Sequence, residues 1–117
     1  MAHPVVHWEI ASSNGKKSQD FFAKLFDWKI DTNNPMNYGM ADTGGGGING
    51  GIFEVPKGQA PYLTLYVLVD DLQSYLDKAV SLGGKMCVPP TPIPGIGSFA
   101  MFSDPDGIVV GLFKNNM

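Results

Sequence analysis

The sequence predicts an α+β fold: two tandem βαβββ modules forming a curved, cupped mixed sheet with helices on the outside. Three observations predict it. Short apolar strands surround only two helix-like stretches, the element order of the first half returns in the second, and a Pro-bounded stretch separates the halves. The 117 residues suit a single domain. It divides into module one (residues 4–55), a linker (56–61) and module two (62–117). One half alone has too few elements to bury much surface, so two are needed.

The first module opens at residues 5–10. Val6, Trp8 and Ile10 alternate there with Val5, His7 and Glu9, the two-residue period of a strand. A helix follows over about residues 16–27, capped by Ser13 or Asn14, with Phe21, Phe22, Leu25 and Phe26 as its apolar stripe. Strands are expected at 28–31, 38–42 and 48–55, with a turn at 32–36 and a glycine-rich loop at 43–47. Gly50 and Gly51 interrupt the last of these strands.

The second module repeats the order. A strand over 62–69 is rich in β-branched and aromatic residues. Asp70 or Asp71 caps a helix over about 72–82 whose inner face is Leu72, Leu76, Ala79 and Val80, and Gly83-Gly84 stops it. Strands at 85–88, 98–102 and 108–113 complete the module. The Pro/Gly-rich stretch 89–97 reads as a stiff loop and a candidate lid. Asp104-Pro105-Asp106-Gly107 is a turn. At an offset of about 57 residues, His7 aligns with Thr64 and Gly51 with Gly111.

Composition excludes several classes. The basic residues are all lysines, and the net charge is -3, which argues against nucleic acid as a partner. No apolar run approaches a membrane span, and the N-terminus lacks a basic start and an apolar core, so a cytoplasmic location without membrane attachment is expected. Cys87 is the single cysteine. It makes an intrachain disulfide and a Cys-based zinc site impossible, and it reads as a small buried apolar residue. The glycines after Thr43 lack the Gly-Lys-Ser/Thr sequel of a phosphate loop.

Four segments carry a resemblance: His7-Trp8-Glu9, Phe21-Phe22 with Leu25-Phe26-Asp27-Trp28, Leu82-Gly83-Gly84, and Asp104-Pro105-Asp106-Gly107 before the last strand. Over essentially its whole length the chain resembles the vicinal oxygen chelate superfamily of glyoxalases, bleomycin-resistance proteins and extradiol dioxygenases. The resemblance implies a homodimer with clefts formed by curved sheets. It also implies metal ligands on the first and last strand of each half. Those positions are His7, Gly51, Thr64 and Gly111, of which His7 alone is a good ligand. Glu9 shares the strand face of His7 and is an added candidate, while Glu54, three residues past Gly51, turns to the opposite face.

Strand alternation turns Val6, Trp8, Ile10, Leu63, Leu65, Val67 and Val69 toward the helices. Ile108, Val110 and Leu112 pack inward in the last strand. The concave face is then lined by His7, Glu9, Asn49, Gly51, Tyr62, Thr64, Tyr66, Gly111 and Phe113, an aromatic wall with a few polar points, as small-molecule sites require. Glu9 is placed to attract a cation or to act as a base. The expected function is small-molecule binding of the glyoxalase/bleomycin-resistance-like type without a cofactor. Two rival readings stay open. One is a lyase, isomerase or dioxygenase using a divalent metal ion held by His7 and Glu9. The other is a dimeric interaction module whose cleft is filled by its own side chains.

Overall fold

The computed structural model describes residues 2–34 and 37–116. Part of the turn expected at 32–36 lies outside the described residues. The order of elements is β1 (Val5–Ser12), α1 (Gly15–Phe26), β2 (Lys29–Asp31), β3 (Gly39–Asp42), β4 (Gly50–Glu54), β5 (Tyr62–Leu68), α2 (Leu72–Ser81), β6 (Lys85–Ile93), β7 (Gly97–Ser103) and β8 (Val109–Asn115). This is the βαβββ pattern twice, in a mixed α+β fold. Two compact units emerge: His7–Thr64, and the segment ending at Val6 together with the chain from Leu65 onward.

In the His7–Thr64 unit, β2 pairs antiparallel with β3, β3 antiparallel with β4, and β4 parallel with β1. Helix α1 starts where Asn14, in extended geometry, accepts a hydrogen bond from the Lys17 amide at 3.1 Å. It ends at Asp27, which takes the left-handed conformation (φ 58°). The helix does not bury its aromatic stripe as expected. Its buried residues are Gly15 and Gln19, while Phe21, Leu25 and Phe26 are more than half exposed. The reason lies in two contacts. Gln19 Nε2 reaches the Ile52 carbonyl at 2.8 Å, so an amide supplies the inward contact. Phe22 and Phe26 pack sideways on Trp28, which also meets Trp8. Trp8 thus lies on the helix side of β1, as alternation requires, and its indole covers Gly50.

In the second unit, β5 pairs parallel with β8, β8 antiparallel with β7, and β7 antiparallel with β6. The strand order repeats that of the first unit. Asp71 caps α2 by accepting from the Ser74 amide at 3.1 Å. After the helix, Gly83 takes a positive φ of 102° and the Gly84 amide returns to the Ala79 carbonyl at 2.9 Å. The core holds Val69, Leu72, Leu76, Ala100 and Leu112, flanked by Val67, Tyr75 and Phe102. The Asp104–Gly107 turn forms, with a Gly107 amide bond to the Asp104 carbonyl at 3.0 Å.

Several expectations are corrected. The stretch 89–97 is not a lid: β6 continues to Ile93 through three prolines. It flanks β7 alone in this unit, and register shifts between Met86 and Val88 and between Val88 and Thr91 accommodate the missing donors. Val80 is exposed rather than inward, because the buried side of α2 is covered by Leu72 and Leu76. Leu63 and Ile108 are exposed (73% and 58%), and so is Cys87 near the start of β6. Among the described residues no helix is long and apolar enough to cross a membrane.

Candidate functional site

His7 and Glu9 sit on the face of β1 opposite Trp8, as residues an odd step away must. Glu9 is buried (7% exposed), and two phenols hold its carboxylate. Tyr38 donates to Oε1 at 3.1 Å and Tyr62 donates to Oε2 at 3.0 Å. The Tyr38 hydroxyl also lies 2.9 Å from His7 Nε2, so one phenol joins the imidazole to the carboxylate. Phe53 stacks on Tyr38 at 5.4 Å and meets Tyr62 edge-on at 6.4 Å.

Gly51 lies across from Glu9 in the parallel β1–β4 register. Its missing side chain has a concrete use here. A β-carbon at this position would overlap the Tyr38 hydroxyl and ring. Tyr38 is the residue that sequence reasoning missed. It lies just before β3, 31 positions from His7, at the start of the strand expected at 38–42, and nothing in that short segment tied it to His7 and Glu9. The available signal was Gly51 itself, since a glycine inside a strand marks the close approach of another group.

Beside His7 lies an open pocket of about 390 Å³ lined by Lys29, Asp31, Met40, Asp42 and Asn49 with neighbouring backbone. Asn49 is exposed, and its Oδ1 accepts from the Thr43 amide at 2.9 Å, so it also fastens the base of the glycine loop. Thr64 is buried in the same unit (7% exposed). In the other unit, Tyr66 covers Gly111, where a β-carbon would overlap its ring, and meets Phe99 edge-on. Phe113 pairs across from Phe99 in the β7–β8 register. Glu54 belongs to neither group. Its Oε1 accepts from the Gly15 amide at 3.0 Å, at the start of α1.

These donors do not fit a catalytic divalent ion, which needs about three protein ligands at one point. Among the described residues no three His, Cys, Asp or Glu side chains are grouped. His7 and Glu9 are engaged with Tyr38 and Tyr62, and the aligned Gly51 and Gly111 offer no donor.

Burial lowers the pKa of His7, favouring the neutral ring. Burial, and then the charge and hydrogen bond of Glu9, raise the Tyr62 phenol above its ordinary range. Both shifts contribute to the pH dependence of stability. Unfolded His7 takes up a proton near the ordinary value of about 6.5, before the folded chain does, so stability falls as pH drops through and below that value. Unfolded Tyr62 ionises near about 10 while the folded phenol keeps its proton, so stability also falls as pH rises past that value. Urea midpoints measured across pH will show both arms. His7→Asn flattens the acid arm and Tyr62→Phe the alkaline arm.

The model of the family described as Glyoxalase/Bleomycin resistance protein/Dioxygenase superfamily matches residues 4–112. The chain is 29% identical over 122 aligned positions to the proteins named "Putative glyoxylase CFP32" of Mycobacterium bovis and Mycobacterium tuberculosis. The alignment covers 92% of this chain and 44% of theirs, so the chain spans less than half the length of these relatives. Two solved structures share the fold. Methylmalonyl-CoA epimerase from Mycobacterium tuberculosis has a TM-score of 0.69 at 11% identity, covering 97% of this chain and 88% of its own. A glyoxalase/bleomycin resistance protein/dioxygenase superfamily member from Vibrio splendidus has a TM-score of 0.64 at 15% identity, covering 97% of this chain and 100% of its own.

Proposed function

The chain belongs to the Glyoxalase/Bleomycin resistance protein/Dioxygenase superfamily, and from that premise we propose that it binds a small organic molecule without a metal ion, in the pocket beside His7. The observation that carries this reading is Tyr38. Its ring lies over Gly51, and its hydroxyl ties His7 to Glu9. The side chains that a metal would recruit are thereby committed to one another, while His7 borders a pocket lined by residues of both charges and by Ile30, Met40 and Ala41. Lys29, Asp31 and Asp42 supply polar points and Met40 an adaptable apolar surface. Within this reading the chain works as a homodimer in the cytoplasm. The apolar side chains it exposes, Phe21, Leu25 and Leu63 among them, support the dimer.

A ligand-observed NMR screen of small organic compounds tests the site. Met40 is 47% exposed, so Met40→Trp fills the pocket without disturbing a packed core. Compounds that bind the wild type will bind this variant at least about tenfold more weakly, which is about 1.4 kcal/mol. Equal binding to both proteins, or no binding compound at all, would contradict the reading.

A further inference from the structure

On the helix side of the His7–Thr64 unit, an open cleft of about 670 Å³ runs along the start of α1, with Lys16, Gln19, Asp20, Thr32 and Glu54 among its walls. Gln19 is its buried polar wall, only 9% exposed. Its Nε2 donates to the Ile52 carbonyl at 2.8 Å and to the Asn37 carbonyl at 3.5 Å. Gly39 makes room for that amide, since a β-carbon there would lie 2.7 Å from Nε2 and 2.8 Å from the Ile52 oxygen. With the nitrogen end held in this way, the other end of the amide is Oε1, an acceptor to which no protein group donates among the described residues. Among those residues no fully buried side-chain oxygen or nitrogen lacks a partner, so Oε1 is open to solvent, and the open space beside Gln19 is this cleft.

Glu54 stands two residues beyond Ile52, on the same face of β4. A β-carbon on Gly15 would lie 3.0 Å from the Glu54 nitrogen, so helix and strand meet closely here. Glu54 Oε1 accepts from the Gly15 amide at 3.0 Å, and Oε2 receives no protein donor among the described residues. Carboxylates outnumber ammonium groups in the walls two to one, Asp20 and Glu54 against Lys16. The Lys16–Asp20 pair, 3.7 Å apart and exposed on both sides, holds its partners weakly. A helix N-terminus by itself favours an anion with about half a positive charge, but Glu54 already takes the Gly15 amide and brings a whole negative charge.

We propose that this cleft is a second binding site, separate from the pocket beside His7, and that it takes a small organic cation of the amidine or guanidine class whose N–H groups donate to Gln19 Oε1 and Glu54 Oε2. An amidinium carries donors on two nitrogens together with a positive charge, so one planar group serves the neutral acceptor and the carboxylate. The volume suits a small molecule.

The test is an NMR titration of the nitrogen-labelled chain with benzamidine, with benzamide as its uncharged counterpart, and with inorganic phosphate. Benzamidine will move the Gln19 side-chain amide and the Gly15 backbone amide saturably. Benzamide will bind at least about fivefold more weakly, the gap between a charged and a neutral hydrogen bond. Glu54→Gln keeps an acceptor for the Gly15 amide, removes the charge, and will weaken benzamidine by a similar factor. Thr32→Trp, at an exposed position of the wall, will do the same by filling the cleft. Benzamide binding as well as benzamidine, an unchanged affinity in either variant, or no saturable shift at Gln19 would each overturn the proposal. So would phosphate moving the Gly15 amide where benzamidine does not, the mark of a bare helix N-terminus. Because the wild-type titration decides the site by itself, a variant that fails to fold does not rescue the idea. Met40 borders the other pocket and not this one, so benzamidine shifts at Met40 in place of Gln19 would also overturn it, and a compound held here lies outside what Met40→Trp reports.

Discussion

Gly51→Ala will destabilise the chain by about 2–3 kcal/mol, the upper part of the range for overpacking a filled site. The position is buried in β4, between β1 and β3, and its backbone conformation is ordinary, so the cost is steric rather than torsional. An added methyl displaces the Tyr38 ring. The ring cannot swing away cheaply, since its hydroxyl serves both His7 and Glu9 and its face stacks on Phe53. Losing the Glu9 contact leaves a buried carboxylate short of a donor, which is the expensive direction of breaking a hydrogen bond. A double-mutant cycle isolates the cause. In a Tyr38→Ala background the same Gly51→Ala change will cost less than about 0.5 kcal/mol, because the obstructing ring is gone. Urea titration of the four proteins gives the coupling. If Gly51→Ala is equally costly in both backgrounds, the close approach of Tyr38 is not the reason for the glycine.

Leu76→Ala will cost about 3 kcal/mol, near the middle of the range for truncating a fully buried leucine. Leu76 is 1% exposed and packs within the Val69, Leu72, Ala100 and Leu112 cluster, where the surrounding strands cannot close over a cavity. Val80→Ala, on the same helix but 52% exposed, will change stability by less than about 0.5 kcal/mol beyond helix propensity. The pair discriminates sharply, since hydrophobic spacing alone puts both residues on the inner face. Comparable losses for the two variants would mean that α2 is rotated from the orientation described.

What the sequence made legible was chiefly local. Asn14 and Asp71 could be read as caps because capping is a matter of a side chain and an amide three residues on. The repeated element order followed from periodicity and turn residues, and the strand pairing in each unit is the same. The placement of His7 and Glu9 opposite Trp8 needed only the alternation of a strand. Long-range choices were less legible. Nothing local told that Gln19 rather than Phe21 turns inward, because that depends on the Ile52 carbonyl waiting beneath α1. The prolines of β6 look like a loop until the strand is seen to have β7 as its only partner within its unit, where missing amide donors cost little. The glycines at 51 and 111 were legible as gaps where ligands would stand, and in each unit a tyrosine of the chain covers the gap. That substitution of ring for ligand is a tertiary event, and no spacing within the chain announces Tyr38.

The central claim is that His7 and Glu9 are committed to Tyr38 and Tyr62 and that no set of donors for a metal remains among the described residues. Its most direct test is elemental analysis of the untagged protein combined with calorimetric titration of Ni, Zn, Co and Mn. The account predicts no stoichiometric metal, no heat beyond dilution, and the same result for Tyr38→Phe, which frees an edge of the cluster without adding a ligand. About one tightly bound ion per chain, lost in His7→Ala, would contradict it and return His7 and Glu9 to the role of metal ligands.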